Sequence, residues 1–429
     1  MKYPRINQDL FILNRNNFVK KLKNNSLAIF QSSDEFPRSG DQNYIFKQNP
    51  DLFYLSGIDQ EQTILLLYPD CPNPMYRQVL FLRQTNDHIK VWEGYKYTKE
   101  QAKATSGIEA IYWLEDFDNI LHSIVNYADN IYLNTNENDR YAHSVPYRDI
   151  RFISEMRSKY PLHHYERSAP IMRDLRSTKS EIEIELTKKA CGLTRDAFLR
   201  VLKFTKPGVK EYEIEAEIIH EFIRNGATGH AYTPIIASGH NANILHYNDN
   251  NQVCKDGDVI LFDFGAEYAN YNADMSRSIP VNGKFTQRQK DVYNAVLHVM
   301  KEATKLIVAG TVLSTYHEAV GEIMSEQLIN LGLLSTADVK SQNPAWPAYK
   351  KYFMHGTSHH LGIDVHDFAG RYAPFSEGNI LTVEPGIYIP EEGLGIRLEN
   401  NILITSTGNI DLMAHIPLEA EEIEDLMNS

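Results

Sequence analysis

The chain has 429 residues, 42 % of them hydrophobic, and a formal charge of −13. No apolar run approaches the roughly 20 residues that cross a bilayer, and the acidic balance argues against nucleic acid as a partner. Cys71, Cys191 and Cys254 follow no zinc or disulfide spacing, and the polar N-terminus lacks a secretory core, so the expectation is a cytoplasmic protein with reduced thiols.

The length allows about two to three domains. From residue 8 to about 135, helix-like "NNFVKKLKN" is followed by strand-like "SLAIFQ", "QTILLLYP" and "RQVLFLRQ", the pattern of a mixed α/β domain. "QNYIFKQNPDLFYLSG" at 42–57 reads as a strand ending in a turn. "VWEGYKYTKEQA" at 91–102 reads as a surface loop entering a helix, with Trp92 exposed. His163 and His164 have no carboxylate context and read as surface residues. In "MRDLRSTKSEIEIELTKKA", Ser177 or Thr178 can cap a helix, with Glu181 at capping-box spacing from Thr178. The expected domains are therefore 1–172 and 173–429. Helical periodicity follows at 179–204, 211–225, 286–308 and 313–332, strand patterns at 257–264, 271–281, 379–389 and 395–405, and "EAEEIEDLMN" predicts a short amphipathic helix at the end.

All four of these strand runs carry a carboxylate that burial would penalise by several kcal/mol unless a positive charge meets it. Asp263 stands in "VILFDF" and Asp274 in "YNADMSRSI", and a hairpin turning between Tyr268 and Ala269 would oppose them. Glu384 in "ILTVEPGIYIP" and Glu399 in "LGIRLENNILIT" are opposed in the same way by a turn between Glu391 and Glu392. Opposed like charges destabilise a sheet unless a cation lies between them. Between the hairpins lies "MHGTSHHLGIDVHDF", with His355, His359, His360 and His366. Four carboxylates with an imidazole suit Mn²⁺, Co²⁺, Fe²⁺ or Zn²⁺, and two such ions about 3.5–4 Å apart could share bridging carboxylates. Spacing does not choose among the histidines, although His360 can face the site only if His359 faces away. On spacing alone His246, in "ASGHNANILHY", reads as structural.

At these residues the sequence resembles the pita-bread metallopeptidases, and within them the aminopeptidase P branch. "DFGAEYANYNAD", "HGTSHHLGIDVHD", "LTVEPGIYI" and "GIRLENNILIT" occur in that family's order, and "YIFKQNPDLFYLSG" and "ILLLYP" resemble its amino-terminal companion domain. The resemblance implies an α/β fold, with a mixed-sheet domain followed by a catalytic domain of two αβ halves around a curved antiparallel sheet. It implies that Asp263, Asp274, His359, Glu384 and Glu399 hold two divalent metal ions, with Mn²⁺ the first choice, and that Asp274 and Glu399 bridge them. It places His246, His355 and His366 around the substrate, Arg397 beside the carboxylates, and Tyr232 and Tyr388 in the pocket. Family members are commonly dimers or tetramers, and Trp92 resembles a residue that reaches a neighbouring subunit's site. The implied reaction is release of the N-terminal residue from peptides with proline second, by a hydroxide held between the two ions, with Glu384 also accepting the water's proton. Three departures bear on the pocket: the segment between Glu384 and Glu399 is short, "ENN" replaces a frequent acidic pair, and His360 stands where an aromatic residue is common. An Xaa-Pro dipeptidase would use the same ligands, though Ser358 stands where such enzymes usually have Gly. A peptide-binding protein without catalysis is the reading from another class, and the intact ligand set argues against it.

Overall fold

The computed structural model describes residues 2–138, 140, 145–367, 369–370 and 372–429, and the chain divides into two compact units. One is Pro4–Arg176; the other is Ser177–Ser429 with the residues up to Tyr3. No helix among the described residues is long and apolar enough to cross a membrane.

In the first unit Ser26–Gln31 is buried along its whole length, as befits a strand with neighbours on both sides. It pairs antiparallel with Ile64–Leu67 and parallel with Asn130–Leu133. Gln78–Leu82 and Ala110–Trp113 extend one side and His164–Arg167 the other, giving a six-stranded mixed sheet. Leu27, Ile29, Leu66, Phe81, Ile131 and Met156 share one core, whereas Phe30 meets Phe18 of the first helix edge-on at 5.2 Å.

Two local expectations fail here. The 42–57 segment does not end as a strand: Pro50–Ser56 is a helix. Asn49 accepts from the N–H groups of Asp51 and Leu52, Pro50 opens the first turn, and Gly57 closes the helix at φ +69°. Those end signals outweigh the strand-like run of aromatic and aliphatic residues between them. Trp92 sits in a helix, Asp87–Glu93, rather than in a loop, and is 76 % exposed.

The second unit begins with the helices Glu181–Phe204 and Glu211–Arg224. Its first cap is Ser180, not Ser177 or Thr178: the Ser180 N–H donates to Glu183 Oε2 at 2.8 Å. Ile235–Ser238, Val259–Asp263 and Ser276–Pro280 then form an antiparallel sheet. After the helices Gln287–Lys305 and Leu313–Asn330 come a second antiparallel sheet, Ile380–Val383, Asn400–Thr405 and Gly408–Asp411, and the ladder Gly386–Ile389 with Leu394–Arg397. Phe198, Ile218, Phe262, Val296, Met324, Leu381 and Ile402 belong to one continuous core. Along Val259–Asp263 the side chains alternate: Ile260 and Phe262 join that core, while Leu261 packs with Ile235, Ala237 and Tyr388 on the other side. Asp263 shares the parity of Leu261.

Two hairpins set the acidic residues. In the first, Tyr268 pairs with Tyr271 and Asp263 with Ser276. The two-residue turn is Ala269–Asn270, with φ of 53° and 67°, so it lies one residue later than expected and Asp263 does not oppose Asp274. The offset equals the period of a strand, so both aspartates still face the same way. Gly265 permits the close crossing, since a Cβ there would lie 1.8 Å from Ala273 O. In the second hairpin one register runs from Ile380 opposite Leu403 to Ile389 opposite Leu394. It sets Glu384 across from Glu399, and Pro390–Glu392 with Gly393 at φ +60° makes the turn where the "PEEG" tetrad indicated it.

Candidate metal centre

The carboxylates meet where these hairpins approach each other. Asp274, His359 and Glu399 each offer a ligand atom within 4.8 Å of the others. His359 Nε2 lies 3.4 Å from Asp274 Oδ2 and 3.5 Å from Glu384 Oε1. The Tyr232 hydroxyl hydrogen-bonds both Asp263 and Asp274. A phenol has one proton to give, so the two carboxylates compete for it.

Asp263 gains its cation from a distant strand: Arg397 NH2 donates to Asp263 Oδ2 at 2.6 Å. The same guanidinium donates from Nε to Ser276 Oγ and from NH1 to Tyr388 OH, both at 2.8 Å. The Ser276 hydroxyl in turn donates to Glu399 Oε2 at 2.7 Å. Asn401 grips the Asp274 backbone at both ends, donating to its carbonyl at 2.6 Å and accepting its N–H at 3.1 Å. One half of "ENN" therefore serves the site as a neutral amide.

Burial raises Asp263, which Arg397 draws back and Asp274 pushes up again. Burial likewise raises Glu384 to about 7, and raises Glu399 well above the usual carboxylate range with help from Asp274 and Glu384. For His359 burial acts downward, but Asp274 and Glu384 outweigh it and leave the imidazole raised. His359 Nδ1 faces His360 O at 3.0 Å, an acceptor only, so that nitrogen carries the proton and Nε2 turns toward the carboxylates. The His359 backbone N–H donates to Thr382 Oγ1 at 3.1 Å, and Thr382 donates to Glu384 Oε1 at 3.2 Å.

The remaining histidines surround this cluster. His355 has Nδ1 2.7 Å from Gly356 O and Nε2 2.8 Å from Tyr388 OH, and Nδ1 also lies 3.8 Å from Glu384 Oε2. Burial and Arg397 push it down to about 3, so it is neutral. His366 sets its ring edge-on to His359, centroids 4.5 Å apart. His246 is exposed on the segment after Gly239–Asn243, near His355. The His360 ring instead meets Phe375 at 6.0 Å. Trp92 belongs to the other unit.

Ser276, Thr382 and Asn401 were not singled out from the sequence. A signal existed: each lies two residues from a cluster carboxylate, on the same face of its strand.

A buried lone pair and four converging carboxylates, with Arg397 the one cation hydrogen-bonded among the described cluster residues, fit divalent metal ions. Hard oxygen donors with one imidazole are the appropriate set.

Comparison with known proteins agrees with this chemistry. Residues 185–406 match the model of metallopeptidase family M24, and residues 11–132 match that of the aminopeptidase P N-terminal domain. An Xaa-Pro aminopeptidase of Haemophilus influenzae is 34 % identical over 96 % of this chain and 95 % of its own. That of Escherichia coli is 34 % identical over 98 % of each. Among solved structures, zinc-substituted E. coli aminopeptidase P in complex with product superposes with a TM-score of 0.88 at 32 % identity, covering 99 % of both chains. A Pseudomonas aeruginosa aminopeptidase gives 0.90 at 30 % identity, over 99 % of this chain and 98 % of its own. With its pita-bread fold, its paired domains and its cluster of carboxylates and imidazole, the chain belongs to metallopeptidase family M24, in the Xaa-Pro aminopeptidase branch.

Proposed function

We propose that the enzyme uses Asp263, Asp274, His359, Glu384 and Glu399 to hold two divalent ions, with Mn²⁺ the first choice, and releases the N-terminal residue from peptides with proline second. The single observation that carries this is the convergence of Asp274, His359 and Glu399 within 4.8 Å, with Glu384 beside His359 and Asp263 tied in through Tyr232. When bound, such ions lower the pKa of water so that a nucleophile exists near neutral pH.

The chain's own groups do the rest. Glu384, which burial raises to about 7, takes the proton from the attacking water. Asp263, held by Arg397, faces the substrate's free amine, which makes the enzyme an exopeptidase. His246, His355 and His366 supply hydrogen bonds to the substrate's carbonyl and leaving nitrogen, His355 by exchanging Gly356 O for a substrate oxygen. Tyr232 and Tyr388 line the pocket and keep Asp263, Arg397 and His355 in place. The protein works in the cytoplasm as a homo-oligomer in which exposed Trp92 completes a neighbouring copy's pocket. Domains 1–172 and 173–429 divide these tasks.

The test is to incubate Mn²⁺-reconstituted protein with a proline-second dipeptide and the matching tripeptide. Efficient release of the first residue from the tripeptide, with little from the dipeptide, is expected. The opposite preference would make the enzyme a dipeptidase with the same site.

A further inference from the structure

Glu211 is fully buried at the start of the helix Glu211–Arg224, and among the described residues no cation pairs with its carboxylate. Instead its carboxylate accepts three neutral donors: the Ser238 N–H at 2.8 Å, the Tyr247 hydroxyl at 2.8 Å and the Gln252 N–H at 2.9 Å. A helix N-terminus favours the negative charge. The donors define what the carboxylate holds. Ser238 ends the strand Ile235–Ser238, in which Ile235 pairs with Asp263. Tyr247 and Gln252 belong to the irregular stretch that returns to the next strand, and His246 is the residue before Tyr247.

That stretch has few other anchors. Asn250, at φ +44°, accepts the Ile236 N–H and donates to Pro234 O, each at 3.0 Å. Gly395 lies so close beneath Ala242 that a Cβ would come within 2.2 Å of its carbonyl oxygen. Between these two points Tyr247 is the one buried side chain; it sits in an apolar cluster with Ala237, Ala242, Leu261 and Tyr388, against which half-buried Leu245 also packs, and Tyr388 hydrogen-bonds Arg397 and His355. His246 therefore projects outward from a segment whose one buried side-chain anchor there ends on Glu211.

We propose that Glu211, acting through the Tyr247 hydroxyl, is a positioning residue that fixes the His246 segment beside the metal centre. The inference rests on the reading of His246 as a substrate-binding group. A merely structural brace would support the strand alone through the Ser238 and Gln252 amides, which Tyr247→Phe leaves untouched.

The experiment compares Tyr247→Phe and wild type, both Mn²⁺-loaded, each with and without His246→Ala. Hydrogen exchange of a peptide spanning 239–252 is measured beside kcat/KM on a proline-second tripeptide, with Glu211→Gln as the second variant. In Tyr247→Phe the segment should exchange about tenfold faster or more. kcat/KM should fall about tenfold when His246 is present and less than twofold when it is absent, because residues acting through one another are not additive. Unchanged exchange in both variants, or an equal loss of activity in both backgrounds, overturns the proposal. Faster exchange with unchanged cleavage overturns the positioning role if His246→Ala alone lowers kcat/KM, and overturns the reading of His246 as a substrate-binding group if it does not, so the two readings fail separately.

Discussion

Lys179→Met tests how the histidine-bearing loop is held. Lys179 Nζ lies 3.0 Å from Asp367 Oδ2, and both side chains are 1 % exposed. At an effective dielectric of about 20 the gross attraction at this distance is about 5 kcal/mol, which the desolvation of two ions offsets. The pair adds little net stability, yet losing Lys179 takes from buried Asp367 the cation that lies 3.0 Å away. Lys179→Met should therefore cost about 3–5 kcal/mol. The double variant Lys179→Met/Asp367→Leu should cost less than the sum of its parts, with a coupling of at least about 2 kcal/mol. The loss should also reach the metal, because the Asp367 N–H donates to His360 O at 2.8 Å and that carbonyl also engages His359 Nδ1. Thiol labelling across a urea series separates the two units, since fully buried Cys191 and Cys254 report one and Cys71 the other. A loss below about 1 kcal/mol in the single variant, or strict additivity in the double, would refute the reasoning.

Stripping divalent ions with a chelator should abolish cleavage, and returning Mn²⁺ should restore it and raise Tm, with a gain of about 2.7 kcal/mol at a hundredfold excess over Kd; an unchanged Tm would count against the site. Gly265→Ala should fail to accumulate as folded protein, since its Cβ would meet backbone at 1.8 Å. Gly192→Ala, mid-helix with nothing within 4 Å, should stabilise by about 0.5–1 kcal/mol in urea melts. Burial lowers His230 from 6.5 to about 4. The unfolded chain then binds more protons between those values, so stability should fall as pH drops from 6.5 to 4, by on the order of 3 kcal/mol. Urea midpoints for wild type and His230→Leu at pH 7 and pH 4.5 check this, and the variant should lack that part of the slope.

The legible parts of this protein were those in which local chemistry and tertiary need agree. "PEEG" is both a turn former and the middle of a symmetric strand pair, so the Glu384–Glu399 register followed from it. The first hairpin was offset because its turn occupies Ala269–Asn270, where an alanine takes a left-handed conformation that its side chain does not favour. Pro50–Ser56 reads as a strand from its apolar content, while its Asn-Pro start and Gly stop are the signals of the helix it forms. Arg397 reaches Asp263 across 134 residues, and Tyr247 reaches Glu211 across 36. Pairings of that kind come from the fold, and no periodicity announces them.

The offset of the first hairpin also limits how this stretch of chain can vary in length. Lengthening the tip around Ala269–Asn270 by two residues would preserve the alternation and keep Asp274 on the side on which Asp263 stands. A change of one residue would turn one aspartate into the apolar core beside Phe262 unless a bulge absorbed it. Length variation among functional relatives at this tip should therefore come in even steps, or be accompanied by a bulge.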